Sequence, residues 1–109
     1  MKISGIPFGT TDWSGVPVKE VRGESGTGKR RELTFGEINV SMVDYSPGYV
    51  ADHWCQKGHI LLCLEGELIT EMKDGRRVTL KAGQSYQVED GATTHRSRTE
   101  TGARIFIVD

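Results

Sequence analysis

Two histidines and a cysteine crowd into seven positions, His53-Trp54-Cys55-Gln56-Lys57-Gly58-His59, within a stretch from Pro47 to Gly66 that otherwise reads as two β-strands. The only other histidine, His95, lies near the end of the chain. On a strand, residues two apart point to one face, so His53 and Cys55 share a side. His59 has the same parity, yet a straight strand would carry it roughly 20 Å from His53 at about 3.3 Å per residue. Donors to one metal sit about 2.0–2.3 Å from it. Convergence on one ion therefore requires the chain to reverse between Cys55 and His59. Gln56-Lys57-Gly58 suits that bend, because Gly58 can take positive φ. The expectation is that these residues meet inside a small barrel and hold one metal ion.

The rest of the chain supplies strands for such a shell. Residues 1–15 hold Gly5, Pro7, Gly9 and Gly15 around Ile6, Phe8 and Trp13, and read as an irregular N-terminal arm; residues 16–109 read as one domain. Val16 to Val21 alternates, but Pro17 restricts it to an edge or opening strand. Gly23 to Gly28 reads as a loop without the Gly-Lys-Ser/Thr ending of a phosphate loop. Glu37 to Val43 alternates cleanly, which places Ile38, Val40 and Met42 on the buried face. Asp74-Gly75 marks a hairpin after Leu68 to Met72. Arg77–Leu80, Ser85–Val88, Thr94–Thr99 and Arg104–Val108 are further short strands between glycine turns. No window carries helical periodicity long enough to imply a helix. Short strands at near-regular spacing imply an all-β sandwich or barrel.

Bulk properties narrow the function. A chain of 109 residues suits one domain, and 36% hydrophobic with 27% charged residues suits an ordinary globular protein. Net charge is −1, and Lys29-Arg30-Arg31 is followed at once by Glu32, so it reads as a solvated strand end. Neither nucleic acid nor an anionic membrane is implied as a partner. Met1 to Gly15 lacks the long apolar core of an export signal, and no stretch approaches a membrane span. The expectation is a cytoplasmic protein with Cys55 and Cys63 reduced, Cys63 in the core.

The segment from Gly48 to Gly66 resembles the first cupin motif, with His53 at the first histidine, Cys55 at the second, His59 at the glutamate and Gly66 at the closing glycine. Gly83 to His95 resembles the second motif, with Glu89-Asp90-Gly91 where Pro-x-Gly stands and His95 one residue late. Asp52-His53-Trp54-Cys55 followed by Lys57-Gly58-His59 is more narrowly similar to small single-domain "DHCW motif cupin fold" proteins, over nearly the whole chain. The resemblance implies a cupin barrel (a double-stranded β-helix or jelly roll) and a metal centre at His53, His59 and His95, with Cys55 as a fourth donor. Cupins ordinarily use three histidines and a glutamate. Exchanging the carboxylate for a thiolate favours softer ions, zinc ahead of Fe(II), Ni(II) or copper.

Around that centre, Tyr45, Tyr49 and Tyr86 are candidates to line the pocket, and Lys57 and Arg96 to bind an anionic substrate at its mouth. Asp52, as a sequence neighbour, is expected to face away from His53. Two function classes stay open: a metal-dependent enzyme of oxygenase or isomerase type acting on a small organic substrate, and a non-catalytic small-molecule binding or sensor module with a structural metal or none. A homodimer is expected, since the 16–21 edge is available for a partner.

Overall fold

The computed structural model describes residues 3–109. Eight strands form the molecule: β1 Lys19–Arg22, β2 Thr27–Phe35, β3 Ile38–Tyr45, β4 His59–Met72, β5 Arg77–Lys81, β6 Ser85–Val88, β7 His95–Arg98 and β8 Ala103–Val108. A single 3₁₀ turn, Trp13–Gly15, precedes them, capped by the Asp12 carboxylate accepting from the Ser14 N–H. The all-β expectation holds, and no described helix is long and apolar enough to cross a membrane.

All pairings are antiparallel, and β4 joins the two sheets. Its first half lies between β6 and β8, continuing through β3 and β2 to β1; its second half lies between β5 and β7. The register shifts between Cys63 and Glu65, and Gly66 follows at φ 74°. A Cβ there would collide with the Gly102 carbonyl, so glycine is demanded by both backbone conformation and space. The motif stretch that ends in Gly66 is thus one unbroken strand, carried past the glycine by a bulge rather than stopped by it.

Between the sheets lies a core of Val43, Leu61, Cys63, Leu68, Leu80, Ala103, Ile105 and Ile107, with Tyr45 and Tyr86 packed against it. Cys63 is where the sequence puts it. The faces of β3 are reversed from expectation. Ser41 pairs with Ile107 and Val43 with Ile105, so the odd residues point inward, while Ile38, Val40 and Met42 lie on the outer face. Alternation distinguishes two faces but cannot say which is inside when the interior carries polar groups. The outer face is itself apolar here: Phe106 and Val108 of β8 lie beside Met42 and Val40, and the Trp13 ring meets Phe106 edge-on at 6.0 Å.

Two other local expectations change. Lys29-Arg30-Arg31 is the middle of the nine-residue β2 rather than a strand end. Residues 51–58 are not a strand; they run beside β7 through isolated bridges at Val50 and Cys55, bending at Asp52 and His53. Gly58 does not take positive φ. A Cβ there would lie 2.6 Å from the Asp90 backbone nitrogen, so the requirement is close approach rather than a left-handed turn. The Gly58 N–H donates to the Asp90 carboxylate at 2.6 Å.

Candidate functional site

β4 and β7 bring two histidines together inside the barrel, beside Tyr86, which packs against the apolar core. His59 opens β4 and His95 opens β7, and their Nε2 atoms lie 3.1 Å apart, with the rings nearly perpendicular. His95 is 3% exposed. Its Nδ1 lies 2.7 Å from the Thr93 carbonyl oxygen. A carbonyl can only accept, so Nδ1 carries the proton and, in the neutral ring, Nε2 offers a bare lone pair to the barrel interior.

The second ring is over-subscribed. His59 Nε2 faces both His95 Nε2 and, at 2.8 Å, the Tyr86 hydroxyl. If it carries a proton it can donate to His95, but then it cannot accept from Tyr86. If it is bare it can accept from Tyr86, but then two lone pairs face each other unless a cation lies between them. His59 Nδ1 is buried and has no partner among the described residues. Burial, followed by the field of His95, pushes the His59 ring from 6.5 down to about 4, so it is neutral near pH 7. Tyr86 is pushed up by burial and stays protonated. A buried imidazole this poorly satisfied calls for an explanation in water, an ion or a chemical role.

The other two donors behave differently. Cys55 and His95 exchange both backbone hydrogen bonds, 2.7 and 3.0 Å, which sets their side chains on one face. The Cys55 sulfur nevertheless accepts from the Lys57 N–H at 3.3 Å, close to the backbone. His53 sits on the bend, 76% exposed in its side chain, with Nδ1 2.6 Å from Asp52 Oδ1. Asp52 was expected to face away from it. Parity applies to a continuous strand, and the bend at these residues cancels it. Among the described residues, no three His, Cys, Asp or Glu side chains are gathered closely enough to hold a metal.

Backbone comparison places this geometry in a known architecture. Similar solved structures include a predicted oxalate decarboxylase from Thermotoga maritima (TM-score 0.77, 16% identity, 91% of this chain and 96% of that one). An RmlC-like cupin from Shewanella frigidimarina matches at TM-score 0.67 and 22% identity, over 96% of this chain and 88% of that one. FeII HppE matches at TM-score 0.73 and 18% identity, over 96% of this chain but only 60% of its own. The chain has the cupin fold. No protein-family model and no curated protein matches it. Identities this low speak to architecture and leave the chemistry to the residues.

On this fold, the residues present fit half of a metal centre. Two imidazole nitrogens 3.1 Å apart can both lie about 2.0–2.1 Å from a shared ion. The proton on His95 Nδ1 is held by a backbone carbonyl, the usual outer support of a ligating imidazole. A centre built from three histidines, or from three histidines and a thiolate, is not assembled.

The pocket candidates separate into two groups. Tyr45 and Tyr49 stack at 4.2 Å with planes 17° apart, and burial pushes the Tyr45 phenol up to about 12. Tyr86 belongs to the imidazole cluster. Lys57 instead pairs with Asp109 at 3.4 Å. Arg96, next to inward-facing His95, lies on the opposite face of β7. There it meets Glu71 and Glu24 at 3.2 Å each and stacks over Trp54 at 4.6 Å. Arg98 and then Arg96 hold the Glu71 carboxyl below its usual range. This outer cluster clamps the 51–58 segment onto the second sheet. The inward-facing Arg30 is absent from the sequence reading. No sequence signal gives it, because apolar Leu33 and Phe35 share the other face of β2 and would by themselves be read as the buried one.

Proposed function

We propose that this chain is a small-molecule-binding cupin whose working groups are His59, His95 and Tyr86, with the imidazole pair as the seat for one divalent transition-metal ion. The observation that carries the reading is the 3.1 Å convergence of two imidazole nitrogens inside the barrel. His59 and His95 would hold the ion, leaving its other positions for water or the organic ligand. A metal held this way supplies Lewis-acid activation of a ligand oxygen, in the manner of an open catalytic site. Tyr86 keeps its proton and can donate to a ligand oxygen next to the pair. The Thr93 carbonyl fixes the His95 tautomer, so that its lone pair is always presented inward. Zinc leads Fe(II), Ni(II) and copper, because two neutral imidazoles suit borderline ions. The match to a predicted oxalate decarboxylase is compatible with a small acid as ligand, and that to FeII HppE with a bound metal.

A second reading is favoured by one feature: no third donor is gathered. In that case the same cluster binds its ligand without metal, His59 donating to His95 and Tyr86 free to bond the guest. Metal analysis of protein purified without affinity-tag nickel, combined with single variants, separates the two. The metal reading expects one equivalent of zinc that is lost in His59→Ala and in His95→Ala but retained in His53→Ala. Cys55→Ser is expected to weaken binding only modestly. Loss of zinc in His53→Ala with retention in His95→Ala would overturn the assignment.

We also propose a homodimer. β1 pairs on one side only, leaving an open edge. Phe8 on the arm is 98% exposed, and Ile60 on the outer face of β4 is half exposed. Both unmatched apolar surfaces lie on one chain. A two-fold pair lets each copy's arm cover the other's sheet, so a second copy is the natural occupant.

A further inference from the structure

The inner face of β2 carries charge where a barrel of this size would ordinarily place apolar side chains. Arg30 pairs with Val43, which is fully buried in the core, so the arginine stem enters the same interior. Its buried Nε has no hydrogen-bond partner among the described residues, while the side chain as a whole is 36% exposed. Among the described residues its one acidic contact is Glu32 at 3.4 Å, and that carboxylate oxygen also accepts from the Ser41 hydroxyl at 3.0 Å. Neighbouring Gly28 faces the Tyr45 ring, and a Cβ there would lie 3.0 Å from it, so the glycine makes room for the tyrosine beside Arg30. Arg30 lies in register with Val43, Ile105 and Cys63, on the same inner face as Leu61 and His59 of β4, so the guanidinium and the imidazole pair share one interior.

We propose that Arg30 anchors the carboxylate of a small organic acid inside the barrel, directing the rest of that molecule toward the His59–His95 pair. This rests on the small-molecule reading of the site and adds the class of ligand. The guanidinium is a planar fork matched to a carboxylate, and its Nε–H, left without an acceptor, is one tooth of that fork. With Glu32 already at 3.4 Å, Arg30 has donors left for one carboxylate and little more. A singly charged acid therefore fits better than a phosphate dianion, which calls for more donors than this wall offers.

The test titrates sodium pyruvate, neutral pyruvamide and inorganic phosphate into the full chain at constant ionic strength. Nitrogen-15 NMR follows the Arg30 Nε–H and the imidazoles of His59 and His95. Pyruvate is expected to move all three groups and to bind at least about tenfold more tightly than pyruvamide, the margin of one charged hydrogen-bonded contact. Arg30→Gln is expected to bind the acid and the amide alike, and Arg30→Lys to restore part of the preference. If Arg30→Gln does not fold, Arg30→Lys and the wild-type comparison of acid with amide decide. An Arg30→Gln protein that still prefers pyruvate, with its imidazoles still responding, overturns the anchor and leaves the binding site standing. Arg30 responding to pyruvate and phosphate alike while the imidazoles stay silent shows a counter-ion at the surface, and also overturns it. An Arg30 silent to every probe overturns it whatever zinc does at the histidine pair.

Discussion

His59 is the residue on which the local chemistry turns, because one nitrogen faces two partners and the other faces none among the described residues. Burial and His95 hold its folded-state pKa near 4, against 6.5 when unfolded. Between those values the unfolded chain binds more protons than the native one, so stability falls as pH drops from about 6.5 to 4 and levels off below. The ring is part-exposed, so the expected loss is on the order of 1–2 kcal/mol after solvent screening. Urea denaturation of chelator-treated protein should show that slope, and His59→Gln should flatten it. A wild-type slope identical to the variant's would remove His59 from the account. At this scale the sequence was most readable where geometry was local. The spacing singled out His53, Cys55 and His59, and the motif resemblance added His95, without showing that the bend at Asp52 turns His53 to solvent. It also could not reveal that Arg30 faces inward, since the parity of β2 has meaning only after β3 is registered against β8.

Among the elements, β4 and the segment before it decide what reaches the site. β4 serves both sheets because its bulge and Gly66 let one strand change partners midway. Gly66→Ala meets a positive φ and the Gly102 carbonyl together and is expected to cost at least about 2 kcal/mol. Gly75→Ala, at φ 101° but in open space, should cost only about 1 kcal/mol. Equal losses in chemical denaturation would mean that close packing at Gly66 is not what demands glycine. The 51–58 segment is held from outside by Arg96 stacked on Trp54 and from inside by the Cys55–His95 backbone pair. Trp54→Ala is therefore expected to raise amide exchange across residues 51–58 while the core strands stay protected. The hairpin at Asp74-Gly75 and the short late strands were legible because turn chemistry is written in a few residues. The irregular course of 51–58 was not, since isolated bridges to β7 depend on partners about forty residues away.

The molecule as a whole is a two-sheet shell whose interior holds both an apolar core and inward-facing polar side chains. Its architecture could be read from strand spacing and the two motif stretches, and the structural matches agree. Which face of β3 was inside could not be read, because the outer face is apolar as well. That outer surface predicts self-association: sedimentation should show a dimer, and Ile60→Asp combined with Phe8→Ser should yield a folded monomer. A wild-type monomer at high concentration would contradict it. The central claim is that His59 and His95 present their Nε2 atoms to one shared point inside the shell. Long-range proton–nitrogen NMR of the imidazoles, recorded on chelated protein and then with one equivalent of zinc, tests it most directly. The prediction is that the Nε2 signals of His59 and His95 move together and saturate at that equivalent, while those of His53 stay still. Zinc that moves His53 but neither of the other two would contradict it.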